Sequence, residues 1–180
     1  MHHSTLLLSL FQYKAWANQE LFTELQKLDA AVHAAERHTC IRLMNHIHVV
    51  DRIFVGHLSS VPHGFAGTNT PETPTMEALH GAVTATDQWY IEYVQALDAQ
   101  RLAEPVGFDF TDGGQGCMSR EEMLAHVITH GGYHRGAVGR IMAQLSIAPP
   151  RDIFTGFLHK TEPQRREHAS SVVKHGYATQ

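Results

Sequence analysis

His130-Gly131-Gly132-Tyr133-His134-Arg135-Gly136 sets two histidines four residues apart in a stretch that reads as helix. At that spacing two side chains lie one above the other on a helix face, about 6 Å apart along the axis. Two imidazoles so placed grip one transition-metal ion well. In a chain with 15 histidines among 180 residues, such a pair also arises by chance. The pair gains meaning from its surroundings.

His126 stands one turn before His130, so three histidines share this helix face. Gly131, Gly132, Gly136 and Gly139 lie around them. Each glycine inside a helix costs about 0.5–1 kcal/mol relative to alanine. Close contact with another helix, or space for a ligand above the histidines, would account for them. The helix starts at Ser119-Arg120-Glu121-Glu122, a capping box in which Ser119 and Glu122 satisfy each other's backbone NH groups. It runs to about Leu145, before Pro149-Pro150.

Three further segments carry apolar residues at helical period. The first runs from Thr5 to Lys27, the second from about His38 to Leu58, and the third from Thr75 to Leu97 or Asp98. Pro62 to Pro74 is rich in Pro, Gly, Thr and Asn and reads as a loop. Arg101 to Cys117 alternates weakly around Phe108 and turns at Asp112-Gly113-Gly114, which fits a short hairpin. Trp16, Phe22, Trp89 and Tyr93 sit at helical spacing and read as core. Past Arg151 there is one apolar cluster, Ile153, Phe154, Phe157 and Leu158, and fraying is expected beyond about Glu162. The expectation is a single all-α domain over residues 1–180, a four-helix bundle with loops long enough for a crossover and a pocket at one end.

On the second helix His46 is followed by Val50 and Ile53 on one apolar face, so it points toward the core, while His48 is rotated roughly 200° away. His46, His130 and His134 together would hold Zn, Ni or Fe(II) and leave coordination positions open. Ligating histidines need a partner for their second ring nitrogen. Asp51 and Glu122 are candidates, and His126 is a ligand, such a partner or a packing residue, with the last two favoured. Tyr133 lines the pocket or packs, and Arg135 and Arg140 are surface charges or hold an anionic substrate. Cys117, in the loop before the fourth helix, is a ligand candidate, with an inert thiol the favoured reading. His57, His63, His80, His159 and His168 read as solvated surface.

Composition narrows the classes. Hydrophobic residues are 43% and charged residues 18%, with a formal net charge of −4, which lacks the basic footprint of a nucleic-acid binder. Protonation of a few imidazoles near their usual pKa of about 6.5 would reverse that charge. Cys40 and Cys117 lie in separate segments, without disulfide-scaffold or CxxC spacing. The apolar run Leu6-Leu7-Leu8 breaks at Gln12 and Lys14, so neither a signal peptide nor a membrane span is expected and the cytoplasm is the default location.

These residues resemble the DinB family, in the broader DinB/YfiT-like group. Ala15-Trp16-Ala17-Asn18 resembles its first-helix signature, Asn45 to Phe54 its second-helix motif, and His130 to Gly136 its most specific motif. The likeness extends from Tyr13 to about Leu158. It implies a bundle with up-down-down-up order and a divalent metal, nickel or zinc, held by His46, His130 and His134 between the second and fourth helices. It also implies a homodimer. Some members are transferases or isomerases that use a low-molecular-weight thiol. The chain departs from the pattern with Phe at position 54, where Trp is common, and with the glycines of the fourth-helix motif; neither is a ligand position. The favoured expectation is a metal- and thiol-dependent S-transferase acting on a small electrophile. The alternatives are a metal-dependent hydrolase and a non-catalytic metal-binding or stress-response protein.

Overall fold

The computed structural model describes residues 5–166. The order of elements is α1 (Thr5–Leu25), α2 (Ala34–Ser59), α3 (Met76–Gln95), α4 (Ala99–Leu102), β1 (Pro105–Asp109), β2 (Gln115–Ser119), α5 (Arg120–Gln144) and α6 (Phe154–Thr161). The protein is mostly helical, with one two-stranded antiparallel sheet among the described residues. The chain divides into two compact units, one up to Pro150 and one from Arg151 onward. The second contains α6, formed by the apolar cluster of the tail. The fraying expected at the end falls largely on residues 167–180, outside the described residues.

Local signals place the helix ends. Thr75 caps α3 by accepting from the Ala78 NH, and Ser119 and Glu122 form the capping box of α5. α2 begins at Ala34, four residues before the expected start, and its N-cap position, His33, makes no side-chain cap bond. Without a capping side chain the sequence carries no start signal there. The hairpin pairs Pro105 with Ser119 and Phe108 with Gly116. The short α4 turn, capped by Asp98, was not foreseen.

α1, α2, α3 and α5 supply the core of the first unit, in two apolar clusters. One includes Leu7, Phe11, Val50, Phe54, Tyr90, Leu124 and Val127. The other includes Leu21, Phe22, Leu25, Cys40, Met44, Leu79, Val138 and Met142. Each fully buried Leu or Phe stabilises the fold by about 1.5–3 kcal/mol. Trp16, Trp89 and Tyr93, expected in the core, are only half-buried, whereas Phe22 is fully enclosed.

Between the clusters lies a buried polar layer. Lys14 is 0% exposed and donates to Asp51 Oδ2 (2.7 Å) and Asp87 Oδ1 (2.6 Å). Asn18 donates to Asp87 Oδ2 (2.8 Å), and Arg135 donates to Asn18 Oδ1 (3.3 Å). Arg135 is 3% exposed, which corrects the surface or substrate-holding role expected of it. The sequence pattern agrees with this burial once read by helix face. Lys14 continues the stripe Leu7, Phe11, Leu21, Leu25, and Arg135 continues Val127, Gly131, Val138, Met142. Gly131 makes room for the layer: a Cβ there would lie 3.1 Å from Arg135 and 3.5 Å from Lys14. Gly139 faces Pro149 at 3.4 Å, while nothing approaches Gly136, so only part of the glycine content has a packing reason.

Candidate metal centre

His46 of α2 and His130 and His134 of α5 converge on the seam between those helices. One ring nitrogen from each lies within 4.8 Å of the other two, and all three side chains are half-buried. This is the one group of three or more potential metal donors among the described residues. His46 Nε2 approaches His130 Nε2 to 3.1 Å. Two donors on a tetrahedral zinc with arms of about 2.0–2.1 Å would stand about 3.4 Å apart, so this edge is close to that of a metal-binding pair.

The loop before α3 orients His46. Its Nδ1 donates to the carbonyl oxygen of Thr68 at 2.7 Å, which fixes the tautomer and leaves the Nε2 lone pair facing the trio. That carbonyl is held in turn. Asn45 donates to Asn69 Oδ1 and, at 2.7 Å, to Thr70 Oγ1, and Arg42 donates to the Thr70 carbonyl at 2.7 Å. Sequence reasoning missed this partner because a backbone carbonyl has no residue signature.

Asp51 and Glu122, the partners expected for the histidines, are engaged elsewhere. Asp51 faces Lys14 in the polar layer, and Glu122 returns to the Ser119 NH at 2.7 Å. The Nδ1 of His130 is buried without a hydrogen-bond partner. Tyr133 is 77% exposed and meets His134 edge-on at 5.0 Å, so it stands outside the pocket. Cys117 is exposed on β2 and takes no part in the trio, and Cys40 is buried.

Electrostatics keep the trio ready to bind a cation. Burial, helped by the neighbouring His134 and His46, pushes His130 down to about 3. Burial and then His46 lower His134. Both rings are therefore neutral at physiological pH, the state in which imidazole ligates a metal. In the layer behind, burial drives Asp51 up to about 6 against the pull of Lys14. Burial works to neutralise Lys14, but the Asp51 and Asp87 carboxylates hold its ammonium above the ordinary lysine range.

A pocket of about 380 Å³ opens beside His46 and His130. Phe54, Phe108, Phe110 and Met118 form its apolar walls, and His57 and His126 reach into it. His126 stacks on Phe54 (4.7 Å) and on His130 (5.4 Å). His57, read from sequence as solvated, is half-buried against Phe108, with ring centroids 5.1 Å apart. The hairpin causes this, because β1 lays Phe108 across the exposed side of α2.

The protein is mostly helical, with three histidines placed where they could hold a metal ion beside an apolar pocket. A family model described as DinB family matches residues 1–167. Protein DinB of Bacillus subtilis (strain 168) is 23% identical over 172 residues, spanning 90% of this chain and 99% of that protein. No solved structure matches the chain significantly. The chain belongs to the DinB family. No helix among its described residues is long and apolar enough to cross a membrane.

Proposed function

We propose that this protein is a divalent-metal-dependent enzyme, an S-transferase joining a low-molecular-weight thiol to a small electrophile. The observation that carries the reading is the trio itself: three imidazole nitrogen donors within 4.8 Å and, among the described residues, no fourth protein donor in the group. Structural zinc sites use four protein ligands, whereas catalytic ones keep a position open. His46, His130 and His134 are the ligands in this reading; imidazole suits zinc, nickel and iron alike, and the family resemblance puts nickel or zinc first. A bound cation would lower the pKa of a coordinated thiol and supply a thiolate at neutral pH. The chain's own residues orient and shelter that chemistry. Thr68 fixes the His46 ring, and the walls around Phe54 and Phe108 exclude water from the electrophile.

A metal-dependent hydrolase is the second reading, favoured by the imidazoles of His57 and His126 on the pocket wall, where a water-activating site needs a base. The bundle order that goes with either reading is up-down-down-up. Its support is in the contacts: Phe11 with Tyr90 and Phe22 with His80, Tyr90 with Asp51 and Tyr93 with Leu58, Phe54 with His126 and His46 with His134. A single-domain homodimer in the cytoplasm, acting on small molecules rather than nucleic acid, completes the proposal.

The test is elemental analysis of untagged protein beside a His130→Ala/His134→Ala variant. About one nickel, zinc or iron per chain, lost in the variant, supports the site and justifies screening thiols against electrophiles. No metal after purification and none taken up by the reduced protein overturns it. Metal that is bound but whose removal unfolds the chain places the protein among non-catalytic metal-binding or stress-response proteins.

A further inference from the structure

The pocket beside the trio has a composition that selects its occupant. Its lining includes three phenylalanines, two of them on the hairpin, yet no lysine or arginine. Its one charged side chain is Asp109, exposed on β1. Ligands with a carboxylate, phosphate or phosphonate group find no cation there apart from the metal position itself. An apolar cavity of about 150 Å³ accepts a benzene. At about 380 Å³ this pocket has room for two fused rings, or for one ring with a short substituent.

Phe108 is the centre of the arrangement, and its position is built into the hairpin. Its ring contacts His57 (5.1 Å), Phe110 (4.9 Å) and Phe54 (6.3 Å). Its cross-strand partner is Gly116, where a Cβ would lie 2.6 Å from the Phe108 ring. Only glycine lets the ring lie flat across β2 at that point. The other rings on the wall, His57 and His126, are polar, and burial lowers His57, which is uncharged at neutral pH. They give edges and faces for ring stacking and polar ring nitrogens for hydrogen bonds.

We infer that this pocket is a binding subsite for a neutral aromatic molecule of one or two rings, held by Phe108 and Phe54 with His57 reading a polar substituent. As the electrophile site of an enzyme, this deepens the metal-dependent reading above and rests on it. The binding itself does not require the metal.

The test uses metal-free protein at neutral pH and two matched probes, 2-naphthol and 2-naphthoate, in calorimetric titrations. The neutral probe binds the wild-type protein, and the anionic one binds at least about tenfold more weakly. Phe108→Leu, which keeps an apolar side chain but removes the ring, weakens 2-naphthol about tenfold, and Phe108→Ala weakens it further. In NMR spectra of the wild-type protein 2-naphthol shifts the His57 and Phe108 ring resonances, a readout that needs no variant to fold. No binding of 2-naphthol, equal or tighter binding of 2-naphthoate, or unmoved His57 and Phe108 resonances overturns the assignment. Because no metal is present, failure here leaves the histidine trio standing, and failure to find a metal leaves this subsite standing.

Discussion

His46 Nε2 lies 3.1 Å from His130 Nε2, joining residues 84 apart in sequence. The other ring nitrogen of His46 donates to the Thr68 carbonyl, which leaves Nε2 facing His130. A cation competing for that space exchanges one hydrogen bond for two ligand bonds. His46→Ala is expected to weaken zinc binding by at least about 100-fold in a chelator competition, with a small change in melting temperature, because the ring is only half-buried. Unchanged affinity would remove His46 from the ligand set.

Asn45 is tied to the loop that carries Thr68, through Asn69 and Thr70. Asn45→Ala frees that loop and lets the His46 ring turn. Outer partners of this kind are worth about 10–100-fold in metal affinity. A loss of about tenfold in the zinc titration, with helix content intact by circular dichroism, is the expected result; wild-type affinity would show that the loop stays in place without Asn45.

Lys14→Met leaves Asp51 and Asp87 buried with no cation bonded to either. Removing one partner from a buried ionic group costs about 3–5 kcal/mol. Urea unfolding should register that loss. The triple variant Lys14→Met/Asp51→Asn/Asp87→Asn, which removes the charges together, should lose less. Equal stability of the wild type and the single variant would mean that the two carboxylates tolerate burial unpaired.

His48 gives the pH prediction. Burial, then Arg52 and Lys14, push it down to about 4 from an ordinary value of 6.5. The unfolded chain therefore binds a proton at a higher pH than the folded one does. The stability tied to a neutral His48 is complete above about pH 6.5 and is lost as pH falls toward about 4. Between pH 7 and pH 5 wild-type protein should lose about 1 kcal/mol more than His48→Asn, after discounting for the ring's partial access to solvent. Parallel pH profiles for the two proteins would contradict it.

The four long helices, the α5 capping box and the pairing of His130 with His134 were readable from sequence, because helical period and i,i+4 spacing are local properties, whereas His46 joined the pair through its core-facing position and the family resemblance. The rest depended on what lies across the fold. Arg135 and Lys14 were misjudged or passed over by residue type, although each sits on an apolar stripe that marks it as buried. His57 looked solvated because nothing in its own helix shows that the hairpin folds over it. Thr68 contributes a carbonyl oxygen, which any residue at that position would offer.

The loop between α2 and α3 consequently behaves as two pieces with different tolerance to change in length. Its start packs tightly on α2, where a Cβ on Gly56 would meet the Val61 carbonyl at 2.8 Å and His63 at 2.9 Å. Its end, from Thr68 to Thr73, is fastened by Arg42, Asn45, His46 and His38. Between them, added side-chain atoms at Gly64 and Gly67 would meet nothing within 4 Å. Extra residues inserted between Gly64 and Gly67 would bulge outward and leave the trio intact. A single residue inserted after Thr68 would shift the register of the fastened stretch and withdraw the carbonyl from His46, so the two insertions separate the part of the loop that merely connects from the part that belongs to the metal centre.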